Sequence, residues 1–219
     1  MNLPGQPEPI VPARLARPLL LAISAPSGAG KSVLCARLRA DFPAMAYSIS
    51  CTTRAPRGGE RDGREYHFLA QEAFERKVRA GEFLEWAAVH DHRYGTLRAP
   101  VEAELRAGRD VLMDIDVQGA ARIRAAARGE AQNGLLQRAI VDIFVVPPSL
   151  EALRQRMTGR AEDAEAEIEV RMRNAAKELR RWREYRYLLI NDRLDEVYAE
   201  LKGIVAAEHC RNMDIEESL

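Results

Sequence analysis

The stretch "LLLAISAPSGAGKSVLCARL", Leu19–Leu38, constrains this chain more than any other. An apolar run, Leu19–Ala25, enters a Pro-Ser-Gly-Ala-Gly turn, and apolar residues then recur at helical spacing from Ser32 to Phe42, with Pro43 at the exit. A buried strand, a glycine-rich loop and a helix in that order make a cradle for phosphate. Successive backbone N–H groups point inward, glycines let the backbone come close, and the helix adds its positive N-terminal end. Gly30, Lys31 and Ser32 fit the end of the pattern G-x-x-x-x-G-K-[ST], but Ala25 stands where the first glycine belongs. The tripeptide alone would arise by chance in about one chain in ten of this length, so its place between strand and helix is what carries the reading. Alanine adds only a methyl and needs negative φ, which a strand end supplies, so Ala25 is expected there with negative φ.

The rest of the chain alternates in the same way. Strands are expected at Ala46–Ser50, Phe83–Val89, Asp110–Ile115, Ala139–Val146 and Tyr187–Ile190. Helices are expected at Glu72–Ala80 and Pro100–Ala107, each stopped by glycine, and Arg122–Arg128 is expected to continue a helix. Ser149 caps another through Met157, the acidic stretch Ala161–Glu169 leads into a long helix to about Tyr185, and Asp195–Ala207 forms the last. Arg54–Arg64 reads as a loop or hairpin, and 129–134, "GEAQNG", as a loop. Strands alternating with helices predict an α/β fold with a parallel sheet flanked by helices. Residues 18–210 form one domain, with its core at 18–49 and 101–210 and an inserted, turn-rich lobe at about 50–100.

Five of the first eighteen residues are proline and the signal-peptide pattern is lacking, so residues 1–17 are expected to be a flexible leader. Residues 211–219 are expected to be a frayed tail. The run Leu19–Ile23 is too short to span a bilayer. With 33 basic and 33 acidic residues the charge balances, and neither nucleic acid nor membrane is expected as a partner. Three scattered cysteines, Cys35, Cys51 and Cys210, argue against a disulfide framework or zinc knuckle and fit a reducing cytoplasm. Four of the basic residues are lysines, which leaves 29 arginines. Against that background only the spacing of an arginine carries weight.

That spacing appears in "SISCTTRAPRGGERDGREYHF", residues 48–68. With "EFLEWA" (82–87), "YGT" (94–96) and "DIDVQGA" (114–120), it resembles the guanylate kinases, P-loop enzymes that make GDP from GMP and ATP. The resemblance runs from about Leu19 to His209, with the motifs in order and at matching spacing. It implies a P-loop core, a GMP-binding lobe and a small lid at about 156–171. Transfer of the γ-phosphoryl of ATP to GMP in purine nucleotide metabolism is then the expected reaction, with Mg2+ as cofactor. It implies that Ala25, Pro26, Ser27, Gly28, Ala29, Gly30, Lys31 and Ser32 cradle the ATP phosphates and that Asn191, in "LLIND", lies near adenine. Lys31 reaches the β- and γ-phosphates, and Ser32 binds the metal.

By the same resemblance Ser50, Arg54, Arg57 and Tyr66 hold the GMP phosphate. Arginine forks onto phosphate oxygens and a tyrosine hydroxyl adds a donor, which suits the chemistry. Glu85 reads guanine, with Thr96 and Asp116 contributing and Tyr94 shaping the pocket. A carboxylate offers only acceptors, and guanine presents N–H donors at N1 and at its 2-amino group, whereas adenine has a lone pair at N1. Asp114 ends the apolar strand "VLMD": it either faces Mg2+, directly or through water, alongside the GMP site, or it caps a helix. Arg156, Arg160 and Arg171 are expected to close on the ATP phosphates. A monomer and a homodimer are both open.

Three departures stand out. "HDHRYGT" (90–96) lacks the Gly-Asn-Tyr usual before Y-G-T, Ala161 follows Arg160 where glycine is usual, and 128–139 is longer than usual, read as a surface connection. His90 and His92 read as turn decoration, because no third ligand is evident. Two rivals exist: a catalytically silent phosphopeptide-binding module, which tends to lose the phosphate loop kept here, and a sugar-phosphate kinase, disfavoured by Glu85, Thr96 and Asp116.

Overall fold

The computed structural model describes residues 17–211, apart from residue 90, residues 131–133 and residues 160–164. In chain order the elements begin with β1 (Leu20–Ser24), α1 (Lys31–Asp41), β2 (Ala46–Tyr47), β3 (Cys51–Thr52), β4 (His67–Phe68) and α2 (Gln71–Arg79). Then come β5 (Phe83–Val89), β6 (His92–Leu97), α3 (Arg98–Arg106), β7 (Val111–Asp114), α4 (Val117–Arg128) and α5 (Leu135–Ala139). The chain closes with β8 (Ile140–Val146), α6 (Leu150–Thr158), α7 (Glu165–Leu179), a 3-10 turn (Trp182–Glu184), β9 (Tyr187–Ile190) and α8 (Leu194–Cys210).

Five strands form a parallel sheet in the order β2-β7-β1-β8-β9. All five β1 residues are buried, as a central parallel strand covered on both faces requires. Alternation divides the core in two. Leu21, Ile23, Leu112, Val141, Ile143 and Val145 pack with Leu34, Leu38 and Leu201 of α1 and α8. Leu20, Ala22, Met113 and Phe144 pack on the other side with Val101, Leu105, Ile123 and Leu136 from α3, α4 and α5. Both β1 and β7 deliver their C-terminal ends to one edge, where strands of such sheets present ligand-binding loops. The α/β class and the flanked parallel sheet are therefore as expected.

A second sheet, β4-β3-β6-β5, holds the segment between β2 and α3. Its apolar side is closed by α2: Phe74 stacks on Phe83 with ring centroids 4.3 Å apart, over the buried Cys51. Among the described residues no helix is long and apolar enough to cross a membrane.

Several boundaries differ from expectation. The strand expected over Ala46–Ser50 stops at Tyr47; only the Ser48 N–H still bonds to Leu112 O, at 2.9 Å, as the chain leaves for the second sheet. The helix that continues through Arg122–Arg128 begins at Val117, where the Asp116 side chain accepts from Gly119 N–H at 2.7 Å and caps it. The long helix ends at Leu179 rather than near Tyr185, which turns inward to stack on Phe144 at 4.7 Å. The 128–139 stretch is more than a surface connection, since α5 buries Leu136 completely. Ser149 does cap α6, accepting from Ala152 N–H at 3.0 Å. The leader up to residue 16, the tail from residue 212, His90, and Arg160 with Ala161 lie outside the described residues.

Candidate functional site

The chain from β1 to α1 wraps around a cavity of about 350 Å3 lined by Ala25, Pro26, Ser27, Gly28, Gly30, Lys31 and Ser32. Ala29 is buried beneath the loop. Gly28 and Gly30 have φ of 87° and 94°, so the glycines retained in the motif sit where an L side chain would be strained. Gly30 is also a close-approach point: a Cβ there would lie 2.2 Å from Asn191 Nδ2. Asn191 is buried and donates that nitrogen's proton to Ala29 O at 2.7 Å, tying the chain after β9 to the loop. The Lys31 ammonium bonds the Asp114 carboxylate at the end of β7 and also donates to Ile115 O at 3.1 Å. Asp114 therefore already holds a cation, and Ser32 is exposed at the loop's mouth.

A second cavity of about 330 Å3 opens between the two sheets, lined by Lys31, Ser50, Tyr66, Glu85, Ala87, Tyr94, Asp114, Ile115 and Asp116. Six residues expected to serve GMP thus share one space with the lysine expected to serve ATP. Glu85 projects from β5, is 8% exposed, and accepts from Thr96 Oγ on the neighbouring β6 at 2.9 Å. Burial pushes its carboxyl up to about 7, with the charge of Asp116 adding to the shift, while Thr96 and Arg122 oppose it. Asp116, exposed, caps α4 and accepts through its backbone oxygen from Ser24 Oγ at 3.3 Å.

Arg54 and Arg57 sit behind this cavity, on the loop after β3. The Arg54 guanidinium is buried and forked onto Glu60, with Nη1 to Oε2 and Nη2 to Oε1 both at 2.9 Å, and Nη1 also donates to Ala55 O at 2.7 Å. Those bonds use three of five N–H groups. Tyr94 is a further hydrogen-bond partner of the guanidinium, which leaves it held between the second cavity's tyrosine and Glu60. Tyr66 lies under the guanidinium, its ring centroid 5.4 Å away. Glu60 also accepts from Arg57 N–H at 2.7 Å, which ties the two arginine positions together; the Arg57 side chain is exposed.

Helices α6 and α7 pack through Leu153 and Met157 of the first against Ile168 and Ala175 of the second. Arg156 lines a cleft of about 420 Å3 with Gly28, Gly30, Val33, Asn191 and Leu194, and donates to Asn191 O at 2.8 Å. Arg171 reaches across to donate to Ser27 Oγ at 2.8 Å. Exposed Val33 and Leu194, set between these polar groups, give that cleft the apolar walls a flat base requires.

Sequence reasoning missed Glu60, Val33, Leu194 and Glu178. The last lines the phosphate-loop cavity from α7, and burial, then the charge of Asp116, raises its pKa. Spacing three residues after Arg57 was the only signal for Glu60. Glu178 had none, since an acid on a charged helix reads as a solvated face. Among the described residues no group of three His, Cys, Asp or Glu side chains could hold a metal by itself.

Known proteins resemble this arrangement over most of its length. The family model described as guanylate kinase matches residues 16–208. A guanylate kinase of Cereibacter sphaeroides is 47% identical over 195 residues, covering 89% of each chain. One of Bradyrhizobium diazoefficiens is 45% identical over 195 residues, 89% of this chain and 85% of the relative. The crystal structure of guanylate kinase from Anaplasma phagocytophilum superposes with a TM-score of 0.68 at 29% identity, covering 90% of this chain and 89% of that one.

Proposed function

The chain belongs to the guanylate kinase family, hence is a phosphotransferase acting on ATP and GMP, and we propose that the γ-phosphoryl passes across the cavity shared by Lys31, Glu85 and Asp116. One juxtaposition supports this assignment of the site: the ammonium of the phosphate loop and the buried carboxylate of the lobe line the same space.

GMP enters with its base edge on Glu85, Thr96 and Asp116. Its phosphate lies on Ser50, Tyr66 and Arg54, which exchanges Tyr94 for phosphate oxygens, with Arg57 swinging in from solvent and Tyr94 completing the wall. ATP lays its phosphates along Ala25–Ser32 and its adenine beside Asn191, between Val33 and Leu194. Lys31 exchanges Asp114 for the β- and γ-phosphate oxygens. Arg156, Arg160 and Arg171 close over the transferring group.

No general base is needed. The second pKa of a phosphate monoester is about 6, so GMP arrives at neutral pH mostly as the dianion. The difficulty is repulsion: two unit charges 4 Å apart repel by about 1 kcal/mol in water and about 4 kcal/mol at an effective dielectric of 20. Closing the site drives out water and raises that cost, so the cations must converge as the lid shuts. Ser32 and Asp114 are hard oxygen donors of the kind Mg2+ takes, and Asp114 sits where positive charge is already held. Bound there, directly or through water, the ion would neutralise charge between the β- and γ-phosphates.

This chemistry belongs to purine nucleotide metabolism in the cytoplasm. The test is ADP release by purified protein in a coupled assay. GMP-dependent turnover far above that with AMP is expected. Equal turnover with AMP, or none with GMP, would sink the assignment.

A further inference from the structure

Gly119, in the first turn of α4, is a glycine that its own backbone does not ask for. The left-handed glycines are Gly28, Gly30, Gly58, Gly63, Gly81 and Gly108, and Gly119 is not among them. Inside a helix with ordinary backbone angles, alanine is the better residue. What alanine would meet is specific. A Cβ built on Gly119 would lie 3.1 Å from Glu85 Oε2, 3.3 Å from Glu85 Cδ and 3.5 Å from Asp116 Oδ1. The atoms nearest the missing methyl are therefore the two carboxylates that line the cavity between the sheets. Glu85 cannot simply lean away, because it is buried and Thr96 Oγ holds its other oxygen at 2.9 Å. Its present seat has a physical advantage, since the first turn of a helix favours negative charge.

We propose that Gly119 is a positioning residue for base selection: lacking a side chain, it lets the Glu85 carboxylate rest against the first turn of α4, where it meets the donors of guanine. The proposal rests on the reading of Glu85 as the base-recognising group. A second helical glycine provides the control. Gly203 in α8 has nothing within 4 Å of its would-be Cβ, so replacing it changes helix preference alone.

The experiment compares Gly119→Ala, Gly203→Ala, Glu85→Ala and the double variant Gly119→Ala/Glu85→Ala. Thermal midpoint, kcat and KM for each nucleotide, and GMP affinity by calorimetry are measured. Gly203→Ala should raise Tm slightly and leave both KM values unchanged. Gly119→Ala should fold with Tm near wild type, the crowding at Glu85 being offset by the gain in helix preference, keep kcat within about twofold and keep KM for ATP. Its KM for GMP should rise about tenfold, equivalent to weakening one charge-assisted hydrogen bond by about 1.4 kcal/mol. In the Glu85→Ala background the same change should leave GMP affinity where it was. An unaltered KM for GMP in Gly119→Ala overturns the proposal. So does a loss that persists undiminished without Glu85, or a fall in Tm with both KM values rising together. Glu85→Ala binding GMP as tightly as wild type overturns the base-reading role itself, a result distinguishable from silence of Gly119→Ala alone.

Discussion

Replacing Glu85 by glutamine tests base recognition by charge, because the side chain keeps its size. With its carboxyl pushed up to about 7, Glu85 is half ionised at neutral pH before GMP arrives. If Glu85 reads the base as proposed, the ionised form accepts from both guanine donors and only that fraction is competent. About a tenth is ionised at pH 6 and about nine-tenths at pH 8, which makes GMP bind roughly tenfold tighter at the higher pH. The phosphate of GMP titrates in the same range, so the informative quantity is the difference in slope between wild type and Glu85→Gln. At pH 8 glutamine presents an N–H where an acceptor is needed. Losing one charge-assisted hydrogen bond, about 1.5–3 kcal/mol, weakens GMP roughly 10- to 150-fold. Calorimetry at pH 6, 7 and 8 reads both effects, and in wild type at pH 6 it should also register a proton released on binding. Identical pH slopes in the two proteins, or a variant within twofold of wild type at pH 8, refute the reasoning. Stability follows from the same group. Its folded pKa lies above the ordinary 4.5, so its contribution is fully present below that pH and is lost as pH rises through about 7. The loss, on the order of 3 kcal/mol, is absent from Glu85→Gln in denaturant titrations.

Further outcomes are expected. Asp116→Asn keeps the cap on α4 but removes the like charge beside Glu85, so the pH midpoint of GMP binding moves down; a fixed midpoint rejects the coupling. Lys31→Met should fold normally and lower kcat by roughly 100- to 1000-fold with GMP affinity little changed, as steady-state and calorimetric measurements would reveal. Glu60→Gln removes one of the two charged oxygens that hold Arg54, and KM for GMP should rise about tenfold while KM for ATP stays put. Leu136→Ala opens a cavity under α5 and should cost about 2–5 kcal/mol in urea unfolding, with kinetics unaltered below the transition.

Much of this architecture is legible in the chain because its signals are local. The phosphate loop announces itself through a buried run, two glycines and Lys31-Ser32, and the sheet follows from apolar runs spaced by helices. What stays hidden depends on contacts across the fold. The start of α4 is not marked by periodicity, because its signal is the single cap Asp116. Five residues of α5 look like loop sequence until Leu136 finds the far side of the sheet. Glu60 is one acid among 33 until Arg54 turns back onto it. Gly119 is one glycine in a motif until the neighbouring strand brings Glu85 against it.

The base pocket proposed above draws on both halves of the molecule. Glu85 and Thr96 belong to the smaller sheet, while Asp116 and Gly119 belong to a helix of the larger one. Discrimination between bases would then be a property of the seam, and a seam can be read only when its edges meet. On that proposal, a nucleotide that leaves the buried carboxylate unanswered would also fail to bridge the two halves, and the wrong base would be refused twice, once by chemistry and once by alignment. Substitutions that loosen the seam from a distance should accordingly erode selectivity before they erode turnover.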